Sequence, residues 1–568
     1  MRVPVFGSGN PYVFQVAFTM IQRFCFLLCF LVVFSCANEE GQVKPDNLTI
    51  TSFKIDGVES LNVSILKDIS LTPVFEVTFS HPISPEYANA GYVDVSGNQV
   101  FTYDLSGDKT ILTLTATQSL THLTRHIFWV SLEIKGVNGE AMLNQLSQYF
   151  YTEIDPAPKL PLLTNDEDDD NDNTNDLLSV VQHQTFKYFY NFAHPSSGMA
   201  RERNTSGDIV TSGGSGFGIM ALIVGMERNF ITRSEGIQRM EKIVSFLETA
   251  DRFHGAWSHW IDGSTGKVIP FSTKDNGGDL VETSFLVQGL ITFRQYLNPV
   301  DPAESTLIDR INALWEGVEW DWYRRGGQNV LYWHWSPNYN WDMNFALSGY
   351  FEEQITYFLA AASPTHSIPK IVYSNGFAQN GGIVRNNTYF GIPLKLGGLF
   401  PLFWVHYSYL GLDPHFSDDY ADYWEQNVNA SRINQAHCIA NPNKYVGYSD
   451  ACWGLTSSDN QSGYNAHSPA NDLGVITPTA ALSSFPYTPE ESMKALKFFY
   501  YTLGDRLWGQ YGFYDAFNIT QGWTASSYLA IDQGPIIVMI ENHRTGLLWD
   551  LFMSAPEIQQ AKTELNFH

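Results

Sequence analysis

The sequence predicts a multidomain protein in which an all-β sandwich precedes an all-α toroid. Its 568 residues exceed the length of one ordinary domain. Apolar and polar residues alternate in short runs between about 48 and 153, whereas long stretches of helical periodicity fill the chain from Leu177 onward. We therefore expect a signal segment at 1–36, a β domain at 45–155, a linker at 156–176 and a helical domain at 177–568.

Composition limits the classes of partner. Lys and Arg total 33 against 59 Asp and Glu, which gives a net charge of −26 and argues against a phosphate-binding surface, so no nucleic-acid partner is expected. The 44% hydrophobic and 14% aromatic content supports sizeable cores. The same aromatic richness fits a protein that handles neutral polar ligands such as sugars, although a large packed core explains it equally well.

The N-terminus is typical of an exported lipoprotein. The apolar run Phe24–Phe34 follows Arg23 and is too short to span a bilayer comfortably, as in a signal peptide. It ends in a segment that resembles a bacterial lipoprotein signal, with Cys36 as the lipidated residue, and Met20 is a plausible start. We expect a membrane partner through a lipid anchor and an outer-membrane lipoprotein of the bacterial cell envelope, periplasmic or surface-exposed.

The β domain and the linker follow. Strands are predicted at Val74–Phe79, Ile111–Thr115 and Phe128–Leu132, and the spacing resembles bacterial Ig-like domains that separate a lipid anchor from an enzyme. A spacer role is favoured, with carbohydrate binding as an alternative. The linker carries the acidic run Asp166–Asn173, which predicts an extended, solvated chain. Its alternating Asp residues also suggest calcium, but the glycine and closing Glu of an EF-hand are missing.

Helical periodicity recurs through the rest of the chain and predicts about a dozen helices, the size of an (α/α)6 toroid. Such a toroid carries its site where the loops that enter the inner helices converge. The predicted helices are Leu178–Phe192, Gly216–Arg228, Ser234–Ala250, Glu282–Tyr296, Glu304–Trp322, Phe351–Ala362, Pro489–Gly504 and Pro535–Met553.

Three carboxylates lie where a glycine-rich turn enters a helix, at Asp275, Asp279 and Glu282. Asp279 and Glu282 share one face of the first turn, and like charges held in a cleft push each other's pKa values apart, which supplies an acid and a base. The same Asp-x-x-Glu pattern is also a variant capping box that only satisfies backbone N–H groups. Both interpretations remain open.

Other residue patterns are weaker indications of a functional site. Tryptophans interleaved with His and Asp in loops suggest platforms for sugar rings, or alternatively plugs in the core. No zinc, nucleophile or phosphate-binding motif occurs, so neither a metal nor a cofactor is expected. Cys438 and Cys452 could form a disulfide or remain buried thiols. His334 and His406 are of a type that more often lies satisfied in a core.

Several segments together resemble the bacterial glycoamylase-like domain family, which includes the β-1,2-glucanases of glycoside hydrolase family 144. These are Gly277–Thr283, Gly349–Glu353 with Ser363–His366, His406–Pro414, Cys452–Asp459, Pro478–Tyr487 and Asp532–Asn542. The resemblance covers nearly all of residues 177–568. It implies an (α/α)6 barrel that hydrolyses β-1,2-linked glucose chains with inversion and without a metal.

The resemblance also assigns roles. The central acid falls on Glu352 and the acidic residue that opens the last inner helix falls on Asp532. The family pattern Gly-Tyr-Asn-Glu-Ala-Leu differs here, since Phe351 precedes Glu352, a departure expected to affect subsite shape more than the reaction. The predicted catalytic residues are Glu352 and Asp532, and the predicted substrate-binding residues are Asp275, Asp279, Glu282, Trp257, His259, Trp260, Trp333, His334, Trp335, His406, Trp453, Asp459 and Trp523.

An inverting glycosidase needs an acid for the leaving oxygen and a base for water. We expect Glu352 to be the acid, because an apolar setting after Phe351 would raise its pKa, and Asp532 to be the base, kept ionised by a helix N-terminus. The alternatives are an N-cap role for Asp532 and a surface position for Glu352, with Glu353 the better surface candidate.

Three alternatives to endo-cleavage of β-1,2-glucan remain at this stage. One is exo-acting release of the disaccharide sophorose from oligosaccharide ends. Another is a non-catalytic, glycan-binding surface lipoprotein. The third is hydrolysis of another β-glucan on the same scaffold.

Overall fold

A computed structural model of the chain describes residues 46–96, 101–163 and 176–568. The predicted signal segment with Cys36 and the acidic run Asp166–Asn173 lie outside the described residues. Among the residues that are described, no helix has both the length and the apolar character needed to cross a membrane.

Two sheets form the N-terminal part. One has the strand order Val58–Glu59, Ile50–Ile55, Val74–Phe79, Ile111–Ala116, Phe101–Leu105, and the other the order Leu66–Ile69, Leu146–Thr152, Arg125–Val130, Val93–Val95. Neighbouring strands are antiparallel except for Leu66–Ile69, which runs parallel to Leu146–Thr152. The strand Val74–Phe79 buries every second side chain, as predicted. Phenylalanines from both sheets fill the core between them, and the rings of Phe53 and Phe128 lie 4.5 Å apart.

Helices dominate the chain from Leu177 onward, with short ribbons of two or three strands in the loops. The helices are Leu177–Tyr190, Ser212–Glu227, Arg233–Leu247, Leu280–Tyr296, Pro302–Glu316, Gln354–Ala362, Lys370–Val372, Phe403–His406, Tyr423–Ala440, Pro478–Leu482, Pro489–Lys497, Gly504–Leu507, Ala530–Thr545, Leu547–Met553 and Pro556–Glu564. The ribbon strands are Ile209–Thr211, Trp260–Asp262, Val268–Ile269, Gly278–Asp279, Leu331–Tyr332, His334–Trp335, Ala346–Leu347, Val384–Tyr389, Ile392–Leu396, Ser457–Asn460, Gly463–Ala466, Trp508–Gly509, Gly512–Phe513, Phe517–Asn518 and Trp523–Thr524.

Some predicted helices differ from the observed ones. The stretch predicted as Pro535–Met553 begins at Ala530 and is divided by Gly546, which has a φ of 72° and ends the first helix in the left-handed conformation. The helix Tyr423–Ala440 was not predicted, because Asn, Gln and His residues interrupt its apolar pattern. Its N-cap Asp422 accepts a hydrogen bond from the backbone of Glu425 at 2.9 Å, which was the available signal for a helix start.

Within residues 176–568, six helical segments form an inner ring surrounded by the remaining helices. They are Ser212–Glu227, Leu280–Tyr296, Gln354–Ala362, 403–409, Pro478–Leu482 and Ala530–Thr545. The first two meet at backbone contact, since a Cβ on Gly216 would collide with the carbonyl of Phe285, and a Cβ on Gly289 would collide with the carbonyl of Gly216. Only glycine therefore permits this packing distance.

The N-termini of the inner helices converge at one end of the ring. The Glu282 carboxylate, one turn into its helix, accepts a hydrogen bond from the backbone of Gly213 at the start of the neighbouring helix, at 2.9 Å. The Tyr407 hydroxyl donates to the carbonyl of Ile531 at 3.0 Å. The Ser408 hydroxyl donates to the carbonyl of Glu352 at 2.7 Å. The predicted carboxylates therefore meet at the same end of the ring.

The β domain contacts the helical domain through hydrogen bonds to the segment 501–522. Arg506 donates to the carbonyl of His122 at 2.9 Å, and the Tyr151 hydroxyl donates to the carbonyl of Thr520 at 3.0 Å. In the first residues of the predicted linker, the Lys159 backbone donates to the carbonyl of Tyr501 at 2.7 Å, so this part of the linker contacts the helical domain. The prediction of a solvated chain concerns the acidic run and stays a prediction.

Candidate active site

Asp279 is the hub of the first carboxylate cluster. It caps the helix Leu280–Tyr296, and its Oδ1 accepts the Glu282 backbone N–H at 2.9 Å and the Trp333 indole N–H at 2.8 Å. Its Oδ2 lies 3.1 Å from Nδ1 of His259. Burial raises the pKa of Asp279, but the hydrogen bond from His259 and the nearby His334 more than offset this, so the pKa is lowered. Asp279 is therefore the N-cap of this helix and also pairs with a buried histidine, and its role as a site residue stays a prediction.

Glu282 does not complete a capping box. Its carboxylate turns away from the N-cap and accepts from Gly213 in the next inner helix. Burial, followed by the charge of Asp279, raises the pKa of Glu282. The nearby Asp275 is likewise raised, to a pKa of about 7, first by burial and then by Asp279. The cluster therefore holds carboxylates in different protonation states.

Two histidines beside these carboxylates differ in charge. Burial lowers the pKa of His259, but Glu282, Asp279 and Asp275 outweigh it and raise the pKa to about 10. His334 remains neutral, because burial lowers its pKa to about 4 although its Nε2 lies 3.5 Å from Asp275. His259 is thus the cation of the cluster.

The same cluster contains a donor set that a metal ion could use. One ligand atom each from His259, Asp275 and Asp279 lies within 4.8 Å of the others. His259 and Asp279 already hydrogen-bond to each other, so a cation would have to replace that bond and displace the proton of the imidazolium.

Glu352 lies next to this cluster, just before the inner helix Gln354–Ala362. It is 8% exposed, and burial, followed by the charges of Glu282 and Asp279, raises its pKa well above its usual range. The alternative of a surface position is therefore wrong. Glu353 is wrong as a surface candidate too, since it is 0% exposed, and neither of its carboxylate oxygens has a hydrogen-bond partner among the described residues.

Asp532 lies in the first turn of the helix Ala530–Thr545, as expected, but it does not cap it. The N-cap is Leu529, so the capping alternative is wrong. The expectation of a helix-stabilised, readily ionised carboxylate is also wrong. Burial, followed by Asp515 and Asp459, raises the pKa of Asp532 well above its usual range, because these effects outweigh the helix dipole and the opposing charge of Arg203.

A second polar cluster surrounds Asp532. Both oxygens of Asp459, a predicted residue, lie within 3.2 Å of Nη1 of Arg203. The Asp459 backbone N–H donates to Oδ2 of Asp515 at 2.7 Å. Sequence reasoning missed Asp515 and Arg203, although Asp515 lies in an aromatic loop of the kind that singled out the other site segments.

Tyr407 joins the two clusters. It is buried on the inner segment 403–409, and burial, followed by the charges of Asp532 and, more weakly, of Glu352 and Glu282, raises its pKa well above its usual range. The Tyr407 hydroxyl donates to the carbonyl of Ile531, next to Asp532, and the neighbouring Ser408 hydroxyl donates to the carbonyl of Glu352. The segment 403–409 therefore connects Glu352 and Asp532 at one end of the ring. Sequence reasoning did not single out Tyr407.

A cleft of about 510 Å³ opens beside Phe351, the residue before Glu352, and its size is typical of ligand pockets. Its aromatic wall is formed by Phe351 and Trp404, whose ring centroids lie 5.5 Å apart, and by Phe400. Polar side chains from the other side include Gln379 and Arg385. The wall offers apolar faces and the opposite side offers hydrogen-bonding groups, the combination that a sugar chain needs.

Only some of the predicted aromatic residues face the site. The Trp333 ring stacks on His334 with centroids 5.3 Å apart, while Trp260 lies beside His259 and the exposed Phe271. Trp335 follows His334 in one strand and so points to the other face. There it packs against Trp322, with centroids 5.3 Å apart, away from the carboxylates.

Four predicted substrate-binding residues lie elsewhere, which corrects their assignment. Trp257 and Trp453 are 0% exposed and belong to the core. His406 is 1% exposed, its ring nitrogens are partnered by Ser483 and Ser431 hydroxyls, and burial lowers its pKa to about 3. Trp523 lines a groove against the β domain. In each case a loop tryptophan or histidine serves packing, which its sequence context does not distinguish from binding.

Cys438 and Cys452 are both buried and unpaired, so the structure has the free thiols rather than the disulfide. Burial raises the pKa of both thiols. They are therefore poor nucleophiles, consistent with a packing role.

Comparison with known proteins gives consistent matches. The Glycoamylase family model, described as "Putative glucoamylase", matches residues 344–556. An endo-β-1,2-glucanase from Chitinophaga pinensis, solved with sophorotriose and glucose, is 56% identical over 69% of this chain and 98% of its own, with a TM-score of 0.68. A β-1,2-glucanase from Parabacteroides distasonis is 38% identical over 92% of this chain and 73% of its own, with a TM-score of 0.68.

A curated relative from Parabacteroides distasonis is named exo β-1,2-glucooligosaccharide sophorohydrolase (non-reducing end). It is 50% identical over 410 residues, which cover 68% of this chain and 57% of the relative. The match thus spans little more than half the length of that curated relative.

Proposed function

Because this chain belongs to the glycoamylase-like family that includes the β-1,2-glucan hydrolases of glycoside hydrolase family 144, we propose that it hydrolyses β-1,2-glucan or β-1,2-gluco-oligosaccharides. Glu352 is the general acid and Asp532 the general base of an inverting reaction. The remaining carboxylates tune this pair or bind sugar hydroxyls.

The observation that carries the proposal is the setting of Glu352. This carboxyl group directly follows Phe351, which lines the aromatic-walled cleft, and burial beside Glu282 and Asp279 raises its pKa well above its usual range, as suits an acid that must be protonated before it donates. A glycan-binding protein without activity would need the aromatic wall but not a protonated carboxyl group beside a second carboxylate cluster. The geometry therefore favours hydrolysis over binding alone.

The proposed reaction balances on two proton transfers. Glu352 gives its proton to the glycosidic oxygen as the bond from that oxygen to C1 breaks. A water oxygen forms a bond to C1 from the opposite face, and its proton passes to Asp532. Tyr407 donates to the carbonyl of Ile531, beside Asp532, and its neighbour Ser408 donates to the carbonyl of Glu352, so the segment 403–409 connects the two acidic residues. Asp279 raises the pKa of Glu352, and the positive charge of His259, which lies 3.1 Å from Asp279, opposes that effect.

The test is incubation with β-glucans of defined linkage, with products resolved by size and the initial anomer read by NMR. We expect release from β-1,2-linked substrates with an α-anomeric product. Glu352→Gln and Asp532→Asn should each lower kcat by about 10²–10⁴-fold while thermal unfolding stays close to that of the wild-type protein. Wild-type kcat in either variant would remove that residue from the mechanism, and binding without release of reducing ends would favour a glycan-binding protein.

The time course of product release distinguishes endo cleavage from exo cleavage. The similar Chitinophaga enzyme is named an endo-glucanase, and the Parabacteroides relative is named an exo-acting sophorohydrolase. Endo cleavage gives a ladder of oligosaccharides, whereas exo cleavage gives sophorose from the start. We propose endo cleavage, because the endo-acting Chitinophaga enzyme is 56% identical to this chain and the exo-acting relative 50%.

We also propose that the N-terminal sandwich is an Ig-like spacer and that Cys36 carries a lipid that holds the enzyme at the bacterial outer membrane. The two-sheet core supports the first proposal, and the residues before Cys36 support the second. Radiolabelled palmitate incorporated into the wild-type protein, but not into a Cys36→Ser variant, is the expected result. Equal labelling of both would exclude lipidation at Cys36.

A further inference from the structure

We propose that the β domain is more than a spacer and positions the acidic cluster that precedes the last inner helix. Two of its side chains, Tyr151 and Arg125, hold the tip of a ribbon whose base carries Asp515 and Ser527. The inference rests on the proposed function only for the catalytic role of Asp532, and its first test needs no substrate.

The ribbon consists of residues 515–527. Its strands Phe517–Asn518 and Trp523–Thr524 pair antiparallel. Towards the base the ladder continues, because the Asp515 N–H donates to the carbonyl of Ser527 at 2.9 Å. Backbone hydrogen bonds therefore connect the tip of the ribbon to its base, and a displacement of the tip is transmitted along the ladder.

The base of the ribbon is bonded to Asp459. Oδ2 of Asp515 accepts the Asp459 N–H at 2.7 Å, and the Ser527 hydroxyl donates to Oδ2 of Asp459 at 2.6 Å. Ser527 lies shortly before the helix Ala530–Thr545, which carries Asp532 in its first turn. A shift of the base would therefore move the Asp459 carboxylate and the start of this helix together.

The tip of the ribbon, residues 519–522, contacts the β domain. The Tyr151 hydroxyl donates to the carbonyl of Thr520 at 3.0 Å, and Nη1 of Arg125 donates to the side-chain oxygen of Gln521 at 3.1 Å. Tyr151 and Arg125 are directly opposite each other on neighbouring strands, so both side chains lie on the same face of the sheet. This face of the β domain therefore supplies two donors to the tip.

The burial of Tyr151 depends on this contact. Tyr149 lies two residues earlier on the same face of the strand and is 51% exposed, whereas Tyr151 is 8% exposed because the helical domain covers it. A cavity of about 80 Å³ lies beside the contact, lined by residues of both domains that include Thr124 and Gly522. Since apolar packing leaves this gap, the hydrogen bonds from Tyr151 and Arg125 provide much of the hold on the tip.

The helical domain holds the ribbon as well. The Val446 N–H donates to the Thr520 hydroxyl at 2.9 Å, and Phe517 exchanges two backbone hydrogen bonds of 2.9 Å with Ile476. Loss of the β-domain contacts should therefore loosen the ribbon without unfolding it. We expect effects of up to about tenfold, the result of losing one or two neutral hydrogen bonds, rather than loss of activity.

Hydrogen–deuterium exchange read by mass spectrometry tests whether the β domain holds the ribbon. The double variant Tyr151→Phe, Arg125→Met removes both donors to the tip and keeps side chains of similar size. Peptides that contain the N–H groups of Asp515 and Asp459 should exchange about three- to tenfold faster than in the wild-type protein. The strands at 384–396, which border the cleft, should exchange at the wild-type rate.

Kinetics on β-1,2-glucan provide the second test. The double variant should lower kcat about three- to tenfold and leave KM within about twofold, because other segments form the cleft wall of Phe351 and Trp404. Tyr149→Phe is the matched control. It removes the same oxygen from the same face of the same strand, but from a side chain that is exposed to solvent, and should behave as the wild-type protein.

Each outcome bears on the proposal. Unchanged exchange at Asp515 and Asp459 in the double variant, or faster exchange at the tip alone, would show that the β domain positions nothing there. Wild-type kcat in the double variant, a rise in KM alone, or equal losses in Tyr149→Phe would also overturn the proposal.

Failure of the proposed function is a separate result. A wild-type protein that cleaves no glucan in the panel would refute that function, whereas the exchange experiment would still decide whether the β domain holds the cluster. Thermal unfolding confirms that the variants fold. If the double variant does not fold, Tyr151→Phe alone, which removes a single oxygen, serves in both tests.

Discussion

Asp279→Asn is the perturbation whose consequences the structure defines most fully. The carboxylate accepts three N–H groups, from the Glu282 backbone, the Trp333 indole and His259. An asparagine whose oxygen replaces Oδ1 keeps the first two bonds. Its amide nitrogen then faces the imidazole N–H of His259, so a charge-assisted hydrogen bond is replaced by two opposed donors.

The expected loss of stability follows from the hydrogen bond between His259 and Asp279. A hydrogen bond to a charged group contributes about 1.5–3 kcal/mol, so the free energy of unfolding of the helical domain should fall by that amount. Asp279→Ala should cost about 2–5 kcal/mol more, because it also removes the helix cap and leaves the Trp333 indole N–H unpaired. The charge of Asp279 also raises the pKa of Glu352. Its removal should therefore lower that pKa and move the alkaline limb of the kcat/KM profile to lower pH.

The assay combines scanning calorimetry with kcat/KM profiles of the wild-type protein and both variants. A chemically matched control is Asp301→Asn, which changes an exposed helix cap far from the site. This control should keep the wild-type profile. Unfolding of Asp279→Asn at the wild-type temperature together with an unmoved alkaline limb would refute the reasoning, since it would mean that Asp279 is neither held by His259 nor coupled to Glu352.

Two further predictions concern stability and its dependence on pH. Glu353→Met should raise the free energy of unfolding by about 1–3 kcal/mol near pH 8, because it removes a buried carboxyl group without a partner. The folded-state pKa of Glu353 is raised, so the stability gained in Glu353→Met should grow as pH rises from about 5 to 8, and a pH-independent gain in calorimetry would contradict the prediction. Glu282→Met, by contrast, should destabilise the protein because it removes the hydrogen-bond partner of the Gly213 backbone N–H. His259 has a folded pKa of about 10, so its pairing with Asp279 should stabilise fully below about pH 6.5 and be lost as pH rises towards 10. In His259→Gln, the free energy of unfolding should vary less with pH between about 6.5 and 10. The same pH dependence as in the wild-type protein would show that the imidazole is neutral.

Local sequence patterns were enough to predict which carboxylates lie at the starts of helices. The glycine-rich turn and the Asp-x-x-Glu spacing placed Asp279 and Glu282 at the beginning of a helix, and Asp532 lies in the first turn of its helix. These features depend on capping and periodicity, which act over a few residues. The same reasoning failed for the polar helix Tyr423–Ala440, whose burial depends on neighbours distant in the chain.

The environment of each side chain required the tertiary structure. Glu352 and Glu353 are adjacent and chemically identical, yet Glu352 lies beside Glu282 and Asp279 whereas the carboxylate of Glu353 lies unpartnered in the core. Trp257 and Trp260 come from one loop, but only the second reaches the site region. Nothing in the local sequence separates the members of either pair.

Sequence patterns alone predicted a β part followed by a helical part, the helix starts that carry acidic residues and the family to which the helical part belongs. Only folding of the ring brought Asp515 and Arg203 to Asp532, and only the burial that folding imposes raised the pKa values of Asp515 and Asp532. The physical reason is that caps and periodicity depend on neighbours within one helical turn. Burial and charge repulsion depend on groups that are far apart along the chain and meet only in the folded protein.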